Sequence, residues 1–266
     1  MPAVPLDEVQ SSLADLDPAM DSLNIGTDEL APGEVELGFL IPRAFVRNEL
    51  ALLGSELEDL KNIILGPFLE LVTGSRPDVP LKTIASSDFS ILVHLNVDVA
   101  KILAQCLAAI IGSYANIRQA RTLREQAKDI GMSNENLAGF ERHALEKMNE
   151  TVSELTDQVM TEYAQQLSGH GREHEVRTAI TMSLEGLAHR VDMGYNFEIR
   201  ALPPTSEASE DDEEPDTSQH ADYDSIADSA KHLGYMNLDG QPILGLGFSQ
   251  DESSEDAEGD SSTETP

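Results

Sequence analysis

Tryptophan is absent from the 266 residues, cysteine occurs once, and lysine, at six, is outnumbered by eleven arginines. One cysteine cannot form an internal disulfide, which fits a reducing compartment. Cys106 lies in KILAQCLAAIIG, where apolar neighbours on both sides mark a buried, inert thiol rather than a nucleophile. The opening MPAVPLDEVQ has no Lys or Arg and so lacks the cationic start of an export signal. Cytoplasmic residence is the expectation.

Positive charge is scarce and unevenly placed. The formal charge is −32: residues 1–33 hold seven acids and no base, residues 34–200 hold 24 acids against 16 bases, and residues 201–266 hold 18 acids against Lys231 alone. Most of the negative charge therefore sits in the two ends, around a mildly acidic middle long enough to bury a core. Phosphate would repel such a chain, so direct nucleic-acid binding is not expected. Protein partners, basic ones among them, or mimicry of a polyanion suit it better. The acidity and low lysine content also suit a high-salt cytoplasm, although the concentration of acid in the ends argues against that origin.

Local catalytic signatures are missing as well. No GxSxG elbow, no Gly-rich phosphate loop ending in Lys-Ser or Lys-Thr, and no dinucleotide turn after a strand occurs. LGLGFS at 244–249 comes nearest but has no following helix to aim amides at a phosphate. No cofactor is expected. His170 and His174 in HGREH have the spacing of two ligands on a helical face and form the one weak metal candidate. The next histidine, His189, lies roughly 22 Å further along a continuous helix at 1.5 Å per residue, too far to share an ion. No Glu-x-x-His pair supports a di-metal bundle. The most apolar stretch, VAKILAQCLAAII, is shorter than the roughly 20 residues of a bilayer span, so no membrane span is expected.

What is present is periodicity. Residues 34–202 are expected to form a single globular α+β domain, helix-dominant, in which a small, mainly antiparallel sheet of three or four strands is covered by about four helices. Val35, Leu37, Phe39 and Ile41 alternate as in a strand. Val46, Leu50, Leu53, Leu57, Leu60 and Ile64 follow helical spacing up to Gly66-Pro67, which is expected to bend or end the helix. LKTIA and FSILVHL read as two more strands, the latter with Phe89, Ile91, Val93 and Leu95 on one face. A long helix over 98–130 follows, then one carrying Leu137, Phe140, Ala144, Met148, Val152, Leu155, Val159 and Tyr163. A third carries Val176, Ile180, Leu184, Leu187 and Val191, and a strand with Phe197 and Ile199 closes the domain. The first and last strands both need a partner. Stripes of this length also permit a coiled-coil seam and homo-oligomers.

Two arms flank this domain. Residues 1–33 read as a mostly disordered acidic arm, with Val9, Leu13, Leu16, Met20 and Leu23 forming a marginal helical stripe that Pro18 interrupts. Residues 203–266 read as a disordered acidic tail with an apolar docking segment at 223–248. Its candidate partner-binding residues are Tyr235, Met236, Leu238, Ile243, Leu244, Leu246 and Phe248. It either returns to the chain's own sheet edge or adds to a partner's. If it serves a partner, deleting 235–248 should leave domain stability nearly unchanged.

On the long helix, Arg118, Arg121, Arg124 and Lys128 share an arc of roughly 120° at 100° per residue. They either pair with the acidic stripe of the next helix or dock an acidic tail. Glu146, Glu150, Glu154 and Asp157 form that stripe and are expected to face water. The functional expectation is a non-enzymatic interaction or assembly protein. A metal-dependent hydrolase with a dispersed site and an acidic-tail mimic of a polyanion are the alternatives.

Overall fold

The computed structural model describes residues 30–47, 49–85, 89–163, 171–204, 217–234, 236 and 242–244. The sequence expectations for 1–29, 205–216 and 245–266 lie outside these. Strand β1 (Val35–Leu40) leads through the short α1 (Arg43–Val46) to α2 (Leu50–Asp59), a π-helical turn (Leu60–Leu65) and α3 (Gly66–Thr73). Strands β2 (Leu81–Ala85) and β3 (Ser90–Leu95) precede three long helices: α4 (Val97–Asp129), α5 (Asn134–Glu162) and α6 (Glu173–Asp192). Strand β4 (Asn196–Ala201) and helix α7 (Thr217–Ala230) follow. The protein is α+β and helix-dominant, with one antiparallel sheet in the order β2-β3-β1-β4.

The alternating residues of β1 explain its central position. Val35, Leu37 and Phe39 are buried on the helical side, where Phe39 meets Phe197 of β4 edge-on at 5.8 Å. Register with β4 runs from Val35↔Ala201 to Leu40↔Asn196, so the first and last expected strands are each other's partners. Phe89 does not extend β3 as its sequence pattern suggested; it sits in a turn at φ 38° and its carbonyl accepts from the Ile41 N–H.

Gly66-Pro67 neither ends nor breaks its helix. The chain widens into the π-helical turn just before it, and the Gly66 N–H bonds the Lys61 carbonyl five residues back. A π-turn re-phases a helix without stopping it, which absorbs the missing proline N–H. A Cβ at 66 would lie 3.2 Å from the Lys61 carbonyl oxygen, a tight approach that glycine avoids. Ser183 of α6 donates to the Ile64 carbonyl at 2.7 Å and fastens this turn into the core.

Helix α4 is the element around which the others pack. Asn96 caps it by accepting from the Asp98 N–H at 2.8 Å. Its Ile102, Leu103, Leu107, Ile110 and Tyr114 are buried, and Ala144, Met148 and Val152 of α5 are buried in the same core. From Ala144 to Tyr163 the apolar stripe of α5 is thus consumed inside the chain. By length and hydropathy α4 would suffice to cross a membrane, and 56% of its most apolar window is buried by the rest of the protein.

Candidate interaction site

The globular unit extends past residue 202, where the sequence pattern placed its end. Helix α7 lies on α4, with Lys101 donating to Asp222 at 2.8 Å and Gln105 to Ser225 at 3.1 Å. The bond to Asp222 raises the Lys101 pKa, since it favours the charged ammonium. Tyr223 and Ile226 are buried, and the Tyr223 hydroxyl donates to the Gly33 carbonyl at 2.8 Å, tying α7 to the entry of β1.

Beyond α7 the tail returns to the domain at two points. Asn196, the first residue of β4, accepts from the Met236 N–H at 2.7 Å and donates to the Met236 carbonyl at 3.4 Å. Ile243 and Leu244, 3% and 4% exposed, both donate their N–H groups to Asp192 Oδ2, at 2.8 and 2.7 Å. Asp192 is fully buried at the end of α6, and its Oδ1 accepts from the Tyr114 hydroxyl at 2.5 Å. Arg121 donates through Nη1 to that hydroxyl and to the Asp192 carbonyl, each at 3.0 Å. Burial first, and then the neighbouring carboxylate, push the Tyr114 pKa upward, so this hydroxyl stays a donor.

The four cations grouped on α4 therefore separate. Arg121 is buried in the Asp192 network, while Arg124 pairs with Glu141 of α5 at 2.7 Å and with Glu125 at 3.0 Å. Arg118 and Lys128 lie exposed. The acidic residues 146, 150, 154 and 157 of α5 face solvent, and Asp157 pairs with Arg177 of α6. The signal that could have singled out Arg121 was its spacing from Ile110, Tyr114 and Ile117, which continues the buried seam.

His170 lies outside the described residues, as do Tyr235, Leu238, Leu246 and Phe248 of the docking segment. His174 is exposed near the start of α6. Ligand-type atoms converge instead on the solvent side of the sheet, where atoms of Glu34, Glu36 and His94 lie within 4.8 Å of one another. That cluster already has its cations. Glu36, fully buried beneath its neighbours, is ion-paired with Lys82 and takes Arg200 Nη2 at 2.8 Å. His94 Nε2 is 3.2 Å from Glu34, whose carboxyl pKa is lowered chiefly by the Ala31 N–H bond.

Cys106 is 2% exposed, and burial pushes its thiol up to about 12, so it takes no part in nucleophilic chemistry at neutral pH. A further buried pair joins α2 to α6: Arg190 holds Glu56 in a bidentate bond at 2.7 and 3.0 Å. Sequence spacing gave no sign of it, because the two residues meet only through the fold.

An open groove of about 740 Å³ runs between β4 and α7. Ile199, Ala201 and Leu202 form its strand side, and Ile226, Ala227 and Ala230 its helix side; Leu30, Arg200 and Lys231 complete the lining. Strand β4 is a sheet edge. The Leu202 N–H bonds the Glu34 carbonyl, so antiparallel alternation turns the N–H and C=O groups of Ile199 and Ala201 away from β1. Among the described residues no backbone partner meets them there. Comparison with family models, curated proteins and solved structures finds no match to this chain.

Proposed function

We propose that this chain is a non-enzymatic protein-interaction protein whose β4–α7 groove receives a short apolar segment of a protein partner. The groove itself carries the reading: an apolar trough beside a sheet edge offers pockets for side chains and backbone groups for pairing. Its two charged lining residues are already paired, Arg200 with Glu36 and Lys231 with Asp228, so recognition rests on the apolar lining.

The tail supports the same reading. Ile243 and Leu244 illustrate on this domain how a short apolar stretch is held: side chains buried and backbone donors met by one carboxylate. The test is affinity capture with the full chain, comparing the natural protein with Leu202→Asp and Ala227→Arg, both side chains being accessible from the groove. Partners identified by mass spectrometry should be lost from both variants while circular dichroism and the unfolding midpoint stay unchanged. Equal recovery of every partner would overturn the reading.

A further inference from the structure

We infer that the groove is occupied by the chain's own amino-terminal arm, through the stripe of Leu13, Leu16, Met20 and Leu23; the inference rests on the groove being a binding site for apolar segments. Leu30, the first described residue, is itself part of the lining, so the 29 preceding residues depart from the groove's rim. Leu23 is seven residues away, within roughly 25 Å even at full extension, and β4 is about 20 Å long. Leu23 therefore stays within reach of the groove, and Leu13, Leu16 and Met20 follow from it along the chain. Pro18 interrupts a continuous helix there, and Leu13, Leu16, Met20 and Leu23 still supply four large apolar side chains within eleven residues for a trough between a strand and a helix.

The arm carries seven acids and no base, and the charged residues of the groove, Arg200 and Lys231, already pair with Glu36 and Asp228, so the arm's apolar side chains carry the contact. One other segment of the chain is excluded by composition. Residues 205–216, which join β4 to α7, contain Ala208 as their sole hydrocarbon side chain outside Pro215 and cannot fill an apolar trough. The tail is held at Asn196, the far end of β4 from Leu202, and at Asp192. Tethering gives the arm an effective concentration in the millimolar range, so even a weak contact suffices to compete with a free partner. The groove is then self-occluded, and a partner gains entry by displacing the arm.

The test uses the buried, unreactive Cys106 as a silent background. A single reporter thiol is placed in the groove by Ala230→Cys in the full chain, and its rate of maleimide labelling is measured. The added substitutions Leu13→Asp, Leu16→Asp and Met20→Asp should accelerate labelling at least tenfold and raise partner capture by a similar factor. An unchanged labelling rate would overturn the inference. So would protection that appears only as protein concentration rises together with a dimer in light scattering, because the occupant would then be a second copy's arm. Should labelling be unchanged while Leu202→Asp still abolishes partner capture, the arm inference falls and the groove reading stands.

Discussion

The protein buries two arginines through entirely different uses of a carboxylate. Arg190 takes both oxygens of Glu56 across α2 and α6 and gives its remaining Nη1 to the Gly186 carbonyl of its own helix at 3.2 Å. Arg121 lies 3.7 Å from Asp192 Oδ1 and spends its bonds on the Tyr114 hydroxyl and the Asp192 carbonyl. That leaves Asp192 Oδ2 for two backbone N–H groups from the tail. The first pair locks helices together. The second makes a buried carboxylate a receptor for a segment reached some fifty residues later in the chain. Breaking either is costly, because a buried charge that loses its partners retains its desolvation penalty.

The contrast can be broken from the closed side first. Arg190→Ala should cost about 3–5 kcal/mol, since it strands Glu56 in the core, and urea unfolding with unchanged slope would measure it. Replacing both partners together by apolar residues should recover most of the loss.

On the open side, ending the chain at residue 241 should cost about 2–4 kcal/mol, through lost burial of two side chains and two donors withdrawn from Asp192. This reverses the expectation that deleting 235–248 leaves the domain untouched, because Ile243 and Leu244 belong to its core.

Asp192→Asn should cost less, about 1–3 kcal/mol. It should also be non-additive with the truncation, by about 0.5–3 kcal/mol in a double-mutant cycle. Strict additivity would mean that the tail is held by its side chains alone.

The smallest effect is one of pH. His189 stands beside Arg190 and three residues before Asp192, and burial, then the Arg190 charge, lower its pKa from 6.5. Above that value the imidazole is neutral whether folded or not, and it contributes nothing to pH dependence. As pH falls below about 6.5 the unfolded chain takes up a proton that the folded state refuses, so stability declines until the folded-state pKa is passed. His189→Asn should flatten that limb of a stability profile measured between pH 7 and 5.

Alternation and helical spacing made most of the fold readable, because those patterns are local. Val35, Leu37 and Phe39 announced a strand, and the stripe from Ala144 to Tyr163 announced a helix with one buried side. The π-turn escaped notice because Gly66-Pro67 resembles any other helix stop; only the Lys61 carbonyl and the Ser183 bond reveal its role. The buried charges escaped for a related reason. Glu36, Glu56, Arg121 and Asp192 are charged letters whose burial depends on neighbours distant in sequence. Composition marks the apolar island of the tail but does not say that Ile243 and Leu244 lie against Asp192. The groove was not foreseen, since it exists only where β4 and α7 meet.

The pairing of β1 with β4 also sets a timetable during synthesis. Val35 leaves the ribosome early, and its partner Ala201 must wait for three long helices to be made. At 5–20 residues per second that delay is roughly 10–30 s. Throughout it, one side of β1 offers unsatisfied hydrogen bonds to any strand that drifts past. Early docking of the helices made in between shortens the time for which that edge stands open.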